Sequence, residues 1–203
     1  MTSSLVGSEM CIGDRIYDAS FIPPCSGTAE TFDGPYETLI EQQGEEIREQ
    51  ERIAAARIFT TPKGEVVADF GQEITGYVEI SVNAKAGEEI RLSHAEVLDK
   101  AGCFYTENYR SARAEYCCIC RDGQQGCHPR LTFFGFRYIR IDAFPGGPGA
   151  AKPENFTAVV LHSQMKRTGR LSCSNPLLNR LFDNIICCLL YTSPSPRDST
   201  SSR

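Results

Sequence analysis

Apolar and polar side chains alternate with period two through the middle of the chain. Over residues 76–82, Val78, Ile80 and Val82 share one side while Tyr77, Glu79 and Ser81 share the other. Over residues 89–97, Ile90, Leu92 and His94 oppose Glu89, Arg91 and Ser93. Such alternation marks a half-buried strand. Further strands are predicted at 65–70, 114–120, 131–143, 156–163 and 168–173, the long one carrying Phe134, Phe136 and Tyr138. Turns are expected at Pro62-Lys63-Gly64, Asn83 to Gly87, Asp99 to Gly102, Arg121 to Gly126 and Pro145 to Gly149, with a longer loop from Phe104 to Arg113. About seven short strands at this spacing predict a mainly β fold, an antiparallel β-sandwich of the concanavalin-like or jelly-roll type.

The flanks are less regular. Residues 16–45 carry Pro23-Pro24, Ser26-Gly27 and Asp33-Gly34-Pro35, which mark loops and turns, and one short strand is expected near Ile16 and Tyr17. Residues 45–59 are rich in Glu, Arg, Gln and Ala, which favour helix. Ile47, Ile53 and Ile58 form no continuous helical stripe, so the segment is expected to be extended and to lead into the sandwich. The period then changes at Asn175-Pro176, where Asn supplies an N-cap and Pro the first helical position. Leu177, Leu178, Leu181, Phe182, Ile185 and Ile186 make one broad apolar face. It is wider than a short terminal helix needs, which predicts burial against helices that these residues do not supply.

Composition narrows the function. At 203 residues the chain can bury one good core or two small ones. A net charge of -5 gives no electrostatic case for nucleic acid or an anionic membrane surface. No run approaches the ~18 apolar residues of a spanning helix, and the first residues lack a secretory n- and h-region, so neither membrane nor export is expected. Ten irregularly placed cysteines, several inside strand patterns, predict a reducing cytoplasm in preference to a disulfide framework.

The ends read differently from the middle. The run Cys188 to Asp198 can be encoded by DNA whose reverse complement, in a shifted frame, gives Leu-Val-Gly-Ser-Glu-Met-Cys-Ile-Arg-Asp; Leu5 to Asp14 is the same string with Gly13 in place of Arg. Opposite strands of one short DNA at both ends resemble read-through of a sequencing adapter. The expected organisation is therefore 1–15 adapter-like, 16–60 lead-in, 61–174 sandwich, 175–187 first helix of a further domain and 188–203 adapter-like.

Several motifs carry a family resemblance: Asp69-Phe-Gly-Gln72 with Gly76, His94-Ala-Glu-Val-Leu-Asp99, Tyr105-Thr-Glu-Asn108 with Arg110-Ser-Ala-Arg113, Phe133-Phe-Gly-Phe-Arg-Tyr138, His162-Ser163 and Cys173-Ser-Asn-Pro-Leu-Leu-Asn179. In this order and spacing, residues 16–186 resemble the bacterial α-L-rhamnosidase family. The resemblance implies a concanavalin-like sandwich directly before an (α/α)6 barrel that works with inversion, its general acid and general base both lying in the barrel. Residues 175–187 would begin that barrel. The family's Trp-Gly-Gln run and acidic Asp-Glu-Arg segment are not found here, where the chain runs into Cys187-Cys188. The implied function is a fragment of an enzyme hydrolysing terminal α-L-rhamnose from glycosides, itself inactive. Its implied partners are a rhamnose-containing glycoside and the helical barrel of the same protein. The alternative is a stand-alone lectin-like sugar-binding module, and a third reading is a purely structural scaffold.

Inverting hydrolysis needs two carboxyl groups flanking the scissile bond. Asp69, Glu96, Asp99, Glu107 and Asp142 lie on strands or turns, where solvated or structural roles are expected, so no catalytic residue is assigned and no substrate-binding residue is named. Cys117-Cys118-Ile119-Cys120 with Cys127-His128 invites a zinc reading. Adjacent Cys117 and Cys118 should face opposite sides of a strand, and buried thiols with no metal and no cofactor are expected instead. Tyr105, Asn108, Arg110 and Arg113 sit on one polar loop, read either as a rim or docking element or as internal pairing such as Arg113 with Glu107. His94, His128 and His162 share no pattern and are expected to be structural. No phosphate loop, Ser-His-Asp order or nucleotide fingerprint is present.

Overall fold

The computed structural model describes residues 15–191 except 25, 26, 32, 35, 42, 43, 110, 111 and 165. Among these, nine strands join into one curled sheet: β1 (Arg15–Asp18), β2 (Ile47–Ala54), β3 (Arg57–Thr60), β4 (Val66–Ala84), β5 (Glu89–Ala95), β6 (Glu115–Ile119), β7 (Gly123–Cys127), β8 (Phe134–Ala143) and β9 (Phe156–Ser163). One α-helix, α1 (Pro176–Tyr191), follows. The sheet order is β1-β6-β5-β8-β4-β9-β2, with β3 and β7 also paired to β4. All pairs are antiparallel except β1 with β6. No helix among the described residues is long and apolar enough to cross a membrane.

β4 is the spine. Asp69 lies opposite both Arg57 of β3 and Tyr138 of β8, Gly76 opposite both Phe134 of β8 and Val160 of β9, and Ile80 opposite both Cys127 of β7 and Phe156 of β9. Thus β8 and then β7 follow one edge of β4, while β3 and then β9 follow the other. The sequence predicts two strands here, at 65–70 and 76–82. They are one strand of 19 residues, because Gly71 at φ 82° lets the backbone bulge between Asp69 and Ile74 without ending the ladder.

Two other expectations are corrected. Residues 121–126, expected to be a turn, contribute β7, because the far half of β4 offers a free edge that Gly123 to Cys127 fills. Residues 168–173, expected to be a strand, are neither helix nor strand and are exposed. Leu171 is their one large apolar side chain, so they have no face to bury, and both edges of β9 are already taken by β4 and β2. The extended lead-in, by contrast, forms as β2 and β3, and the expected strand near Ile16 forms as β1.

The main core lies inside the curl. Ile74, Ile80, Ile90, Leu92, Tyr116, Phe136 and Phe156 are each at most 1% exposed, and each such burial contributes about 1.5–3 kcal/mol. Phe70 meets Phe136 edge-on at 5.6 Å between ring centroids. A smaller cluster of Val67, Ala95, Phe104 and Tyr138, with Phe59 and Leu98 packed on it, sits apart from the main core.

α1 starts as its sequence predicts. The Asn175 Oδ1 accepts from the Leu177 amide at 2.9 Å, satisfying one of the free donors of the first turn. It continues to Tyr191, past the expected boundary at 187. Residues 1–14 and 192–203, where most of the adapter-like string falls, lie outside the described residues, whereas Arg15 belongs to β1.

Candidate functional site

The bulge in β4 gathers a cluster of charged side chains. Asp69, with its side chain 4% exposed, accepts from Arg137 Nε at 2.9 Å, Arg57 Nη2 at 3.1 Å and the Gly71 amide at 2.8 Å. Burial alone would raise this carboxyl. The hydrogen bonds from Arg137, the Gly71 amide and Arg57 outweigh it and hold Asp69 below the ordinary aspartate range. Asp69 is thus a buried cross-link between β3, β4 and β8.

Glu73, two residues past the bulge glycine, behaves oppositely. Burial first, and then the negative charge of Glu96, push its carboxyl up to about 7, with Arg137 partly opposing them. Glu96 in turn accepts from Asn108 Nδ2 at 3.3 Å, and the Tyr109 hydroxyl donates to the Gly135 carbonyl at 3.3 Å, so Asn108 and Tyr109 fold over this face. Sequence reasoning missed Glu73. Its neighbours come from the ends of β5 and β8, which only the topology brings together; the one sequence signal was its place inside the Asp69 to Gly76 motif.

Two of the other candidate carboxylates, Asp99 and Asp142, are engaged within the fold. Asp99 Oδ1 accepts from the amides of Cys103 at 2.7 Å and Ala101 at 2.9 Å, closing its turn, and these bonds lower its carboxyl. Asp142 binds Arg140 at 2.6 Å and the Ser93 hydroxyl at 2.5 Å. Glu107 is exposed in a single 3-10 turn, Glu107–Tyr109. Glu65, absent from the candidate set, ties the loop to the sheet: it accepts from the Phe104 amide at 3.1 Å and the Thr61 hydroxyl at 2.9 Å, with Arg140 at 3.4 Å.

On the polar loop Tyr105 is half-buried, Asn108 and Arg113 are exposed, and Arg110 lies outside the described residues. An Arg113–Glu107 ion pair, the example of internal pairing, is not among those formed by the described residues; the loop is held by Asn108 and Tyr109.

The cysteines separate as a strand requires. Cys117 is half-buried and donates to Glu89 Oε1 at 3.2 Å, while Cys118 faces the core against Cys127, sulfur to sulfur 2.8 Å. His128 turns away to stack on Tyr77, ring centroids 5.1 Å apart. Among the described residues no three His, Cys, Asp or Glu side chains are grouped to hold a metal ion. His94 is buried between Phe134 and Phe136, its Nδ1 donating to the Ala114 carbonyl at 2.9 Å. Burial lowers its imidazole to about 4, against the opposing Ala114 hydrogen bond. His162 binds the Ser163 carbonyl through Nδ1.

Glu73 and His94 make opposite contributions to the pH dependence of folding. With its folded value raised from 4.5 to about 7, Glu73 stabilises fully below about 4.5, and this contribution is lost as pH rises through about 7. His94, lowered from 6.5 to about 4, stabilises fully above 6.5 and loses its contribution as pH falls towards 4. Glu73→Gln is therefore expected to raise stability at pH 8 by about 2 kcal/mol, after allowing for partial solvent screening, and to leave it nearly unchanged at pH 5. Urea titrations of both proteins at the two pH values measure this; equal gains at both would remove Glu73 as the cause.

Fold and geometry define a concanavalin-like β-sandwich whose charged face is built from structural ion pairs. Residues 59–162 match the family described as the bacterial alpha-L-rhamnosidase concanavalin-like domain, and the chain belongs to that family. It is 35% identical over 150 residues to an alpha-L-rhamnosidase of Streptomyces avermitilis, covering 73% of this chain and 14% of that protein. The alpha-L-rhamnosidase of Alteromonas sp. (strain LOR) is 35% identical over 140 residues, covering 68% of this chain and 15% of its own length. Among solved structures, native Aspergillus terreus rhamnosidase superposes with a TM-score of 0.68 at 34% identity, covering 76% of this chain and 18% of that one. The Streptomyces avermitilis enzyme complexed with L-rhamnose gives 0.68 at 32% identity, covering 75% and 15%. The chain thus spans about one seventh of the length of these two curated relatives.

Proposed function

We propose that the chain is the non-catalytic sandwich of an α-L-rhamnosidase, a glycoside hydrolase releasing terminal α-L-rhamnose, and that it seats a helical catalytic domain of the same protein. One observation carries this reading. The apolar face of α1 is left in solvent, with Leu177 75%, Leu178 50%, Leu181 54% and Ile185 49% exposed. A row of large apolar side chains on one helix is a surface that a stable protein covers, and the small share of each relative that the chain spans supports a domain of the same protein as the cover. The carboxylates of the sandwich support the division of labour: Asp69, Asp99 and Asp142 are held by arginines and amides, an arrangement suited to structure and not to proton transfer onto a sugar. The cysteine usage supports placing the protein in a reducing cytoplasm.

A stand-alone lectin-like module is the competing reading, and titration of the 203-residue chain with L-rhamnose separates the two. We expect no saturable heat signal up to about 10 mM sugar, a concentration at which even weak, millimolar binding registers. Saturable binding in that range would favour the lectin reading.

A further inference from the structure

We propose that Cys118 and Cys127 are an oxidation site, closing to an intramolecular disulfide that cross-links two strands of the sheet that are not paired with each other. β6, which carries Cys118, pairs with β1 and β5, whereas β7, which ends at Cys127, pairs with β4. The chain passes from one to the other through residues 120–122. Its path there is fixed: the Cys120 amide donates to the Glu88 carbonyl at 2.7 Å, the Gly87 amide donates to the Cys120 carbonyl at 2.9 Å, and the Gln125 side chain bonds both the amide and the carbonyl of Arg121. The two thiols are thereby held 2.8 Å apart, both buried. The sulfurs are within about 1 Å of disulfide bonding distance.

The pair is also polarised. The Cys118 thiol donates to the Cys127 sulfur, and this bond, with the nearby Arg121 charge, lowers Cys127, while Cys118 is raised. Cys127 is therefore the sulfur that reacts first. With hydrogen peroxide as oxidant, the Cys127 thiolate attacks one peroxide oxygen; the S–O bond forms, the O–O bond breaks, and the departing hydroxide takes up a proton to become water. Cys118 then attacks the Cys127 sulfenic acid through sulfur, the S–S bond forms, the S–O bond breaks, and the hydroxide released leaves as water with the Cys118 proton. Both sulfurs are oxidised and the peroxide is reduced to two waters. Access requires only local opening at the β6–β7 corner.

The 203-residue chain is exposed to hydrogen peroxide, quenched, alkylated in denaturant and digested with trypsin. Arg121 separates the peptide carrying Cys117, Cys118 and Cys120 from the one carrying Cys127, so a bridge appears as two linked peptides, two hydrogens lighter than their sum. We expect that linked species in the native chain and in Cys120→Ala, its absence in Cys127→Ala, and a melting temperature about 5–10 °C higher that returns to its starting value with dithiothreitol. Recovery of Cys118 and Cys127 as alkylated thiols after peroxide, or a bridge that disappears in Cys120→Ala, would overturn the assignment. The thiol map of the native chain decides the question even where a variant folds poorly.

Discussion

Replacing Gly76 by alanine is expected to destabilise the protein by more than about 4 kcal/mol, enough to remove most of the stability of an ordinary domain. A Cβ at this position would lie 1.9 Å from the Val159 carbonyl oxygen and 2.9 Å from its carbon, both main-chain atoms of β9. No rotamer change relieves a collision between backbones. β4 and β9 would have to part, giving up ladder bonds at the point where β4 is also paired to β8 through Phe134. Gly126→Ala is the control, since the nearest atom its Cβ would meet, the Ile80 carbonyl oxygen, is 3.9 Å away, and its expected cost is under about 1 kcal/mol. Urea denaturation of the three proteins measures both effects. A Gly76→Ala chain as stable as the parent would mean that β4 and β9 do not approach as described.

The parts of the fold legible in sequence are those where one face of a strand alternates against a core. Val78, Ile80 and Val82 in β4, and Ile90 and Leu92 in β5, are buried as their spacing predicts. The helix start at Asn175-Pro176 was legible because capping chemistry is local. What was not legible depends on partners. Gly123, Gln124, Gln125 and Gly126 have turn composition and form a strand only because β4 is long enough to offer them an edge. Gly71 reads as a break, yet it bulges one strand without ending it.

The charged face divides in the same way. Asp69 stood out through its motif, whereas its two arginines come from positions 12 residues before it and 68 after it in the chain. Glu73 carries no local mark beyond its place between Asp69 and Gly76. Its raised carboxyl follows from burial beside Glu96, a neighbour that only the packing of β4 and the end of β5 provides.

The second large effect concerns activity. Inverting hydrolysis needs an acid and a base on opposite sides of the scissile bond, with space for a water between them. The aspartates of this sandwich are committed instead to guanidinium groups and turn amides. The negative charge of Glu96 helps raise the Glu73 carboxyl, and Asn108 already occupies Glu96. Nothing in that arrangement opposes a sugar with two independent carboxyl groups. Under the proposed function, the exposed row on α1 is the surface against which a catalytic helical domain packs.

Hydrolysis of an aryl α-L-rhamnoside, followed by release of the phenol, compares the 203-residue chain with a protein extended through the proposed helical domain. The account predicts turnover by the extended protein and a rate at least about 10⁴-fold lower from the sandwich alone, the scale lost with general acid–base chemistry. Equal rates from the two would contradict it.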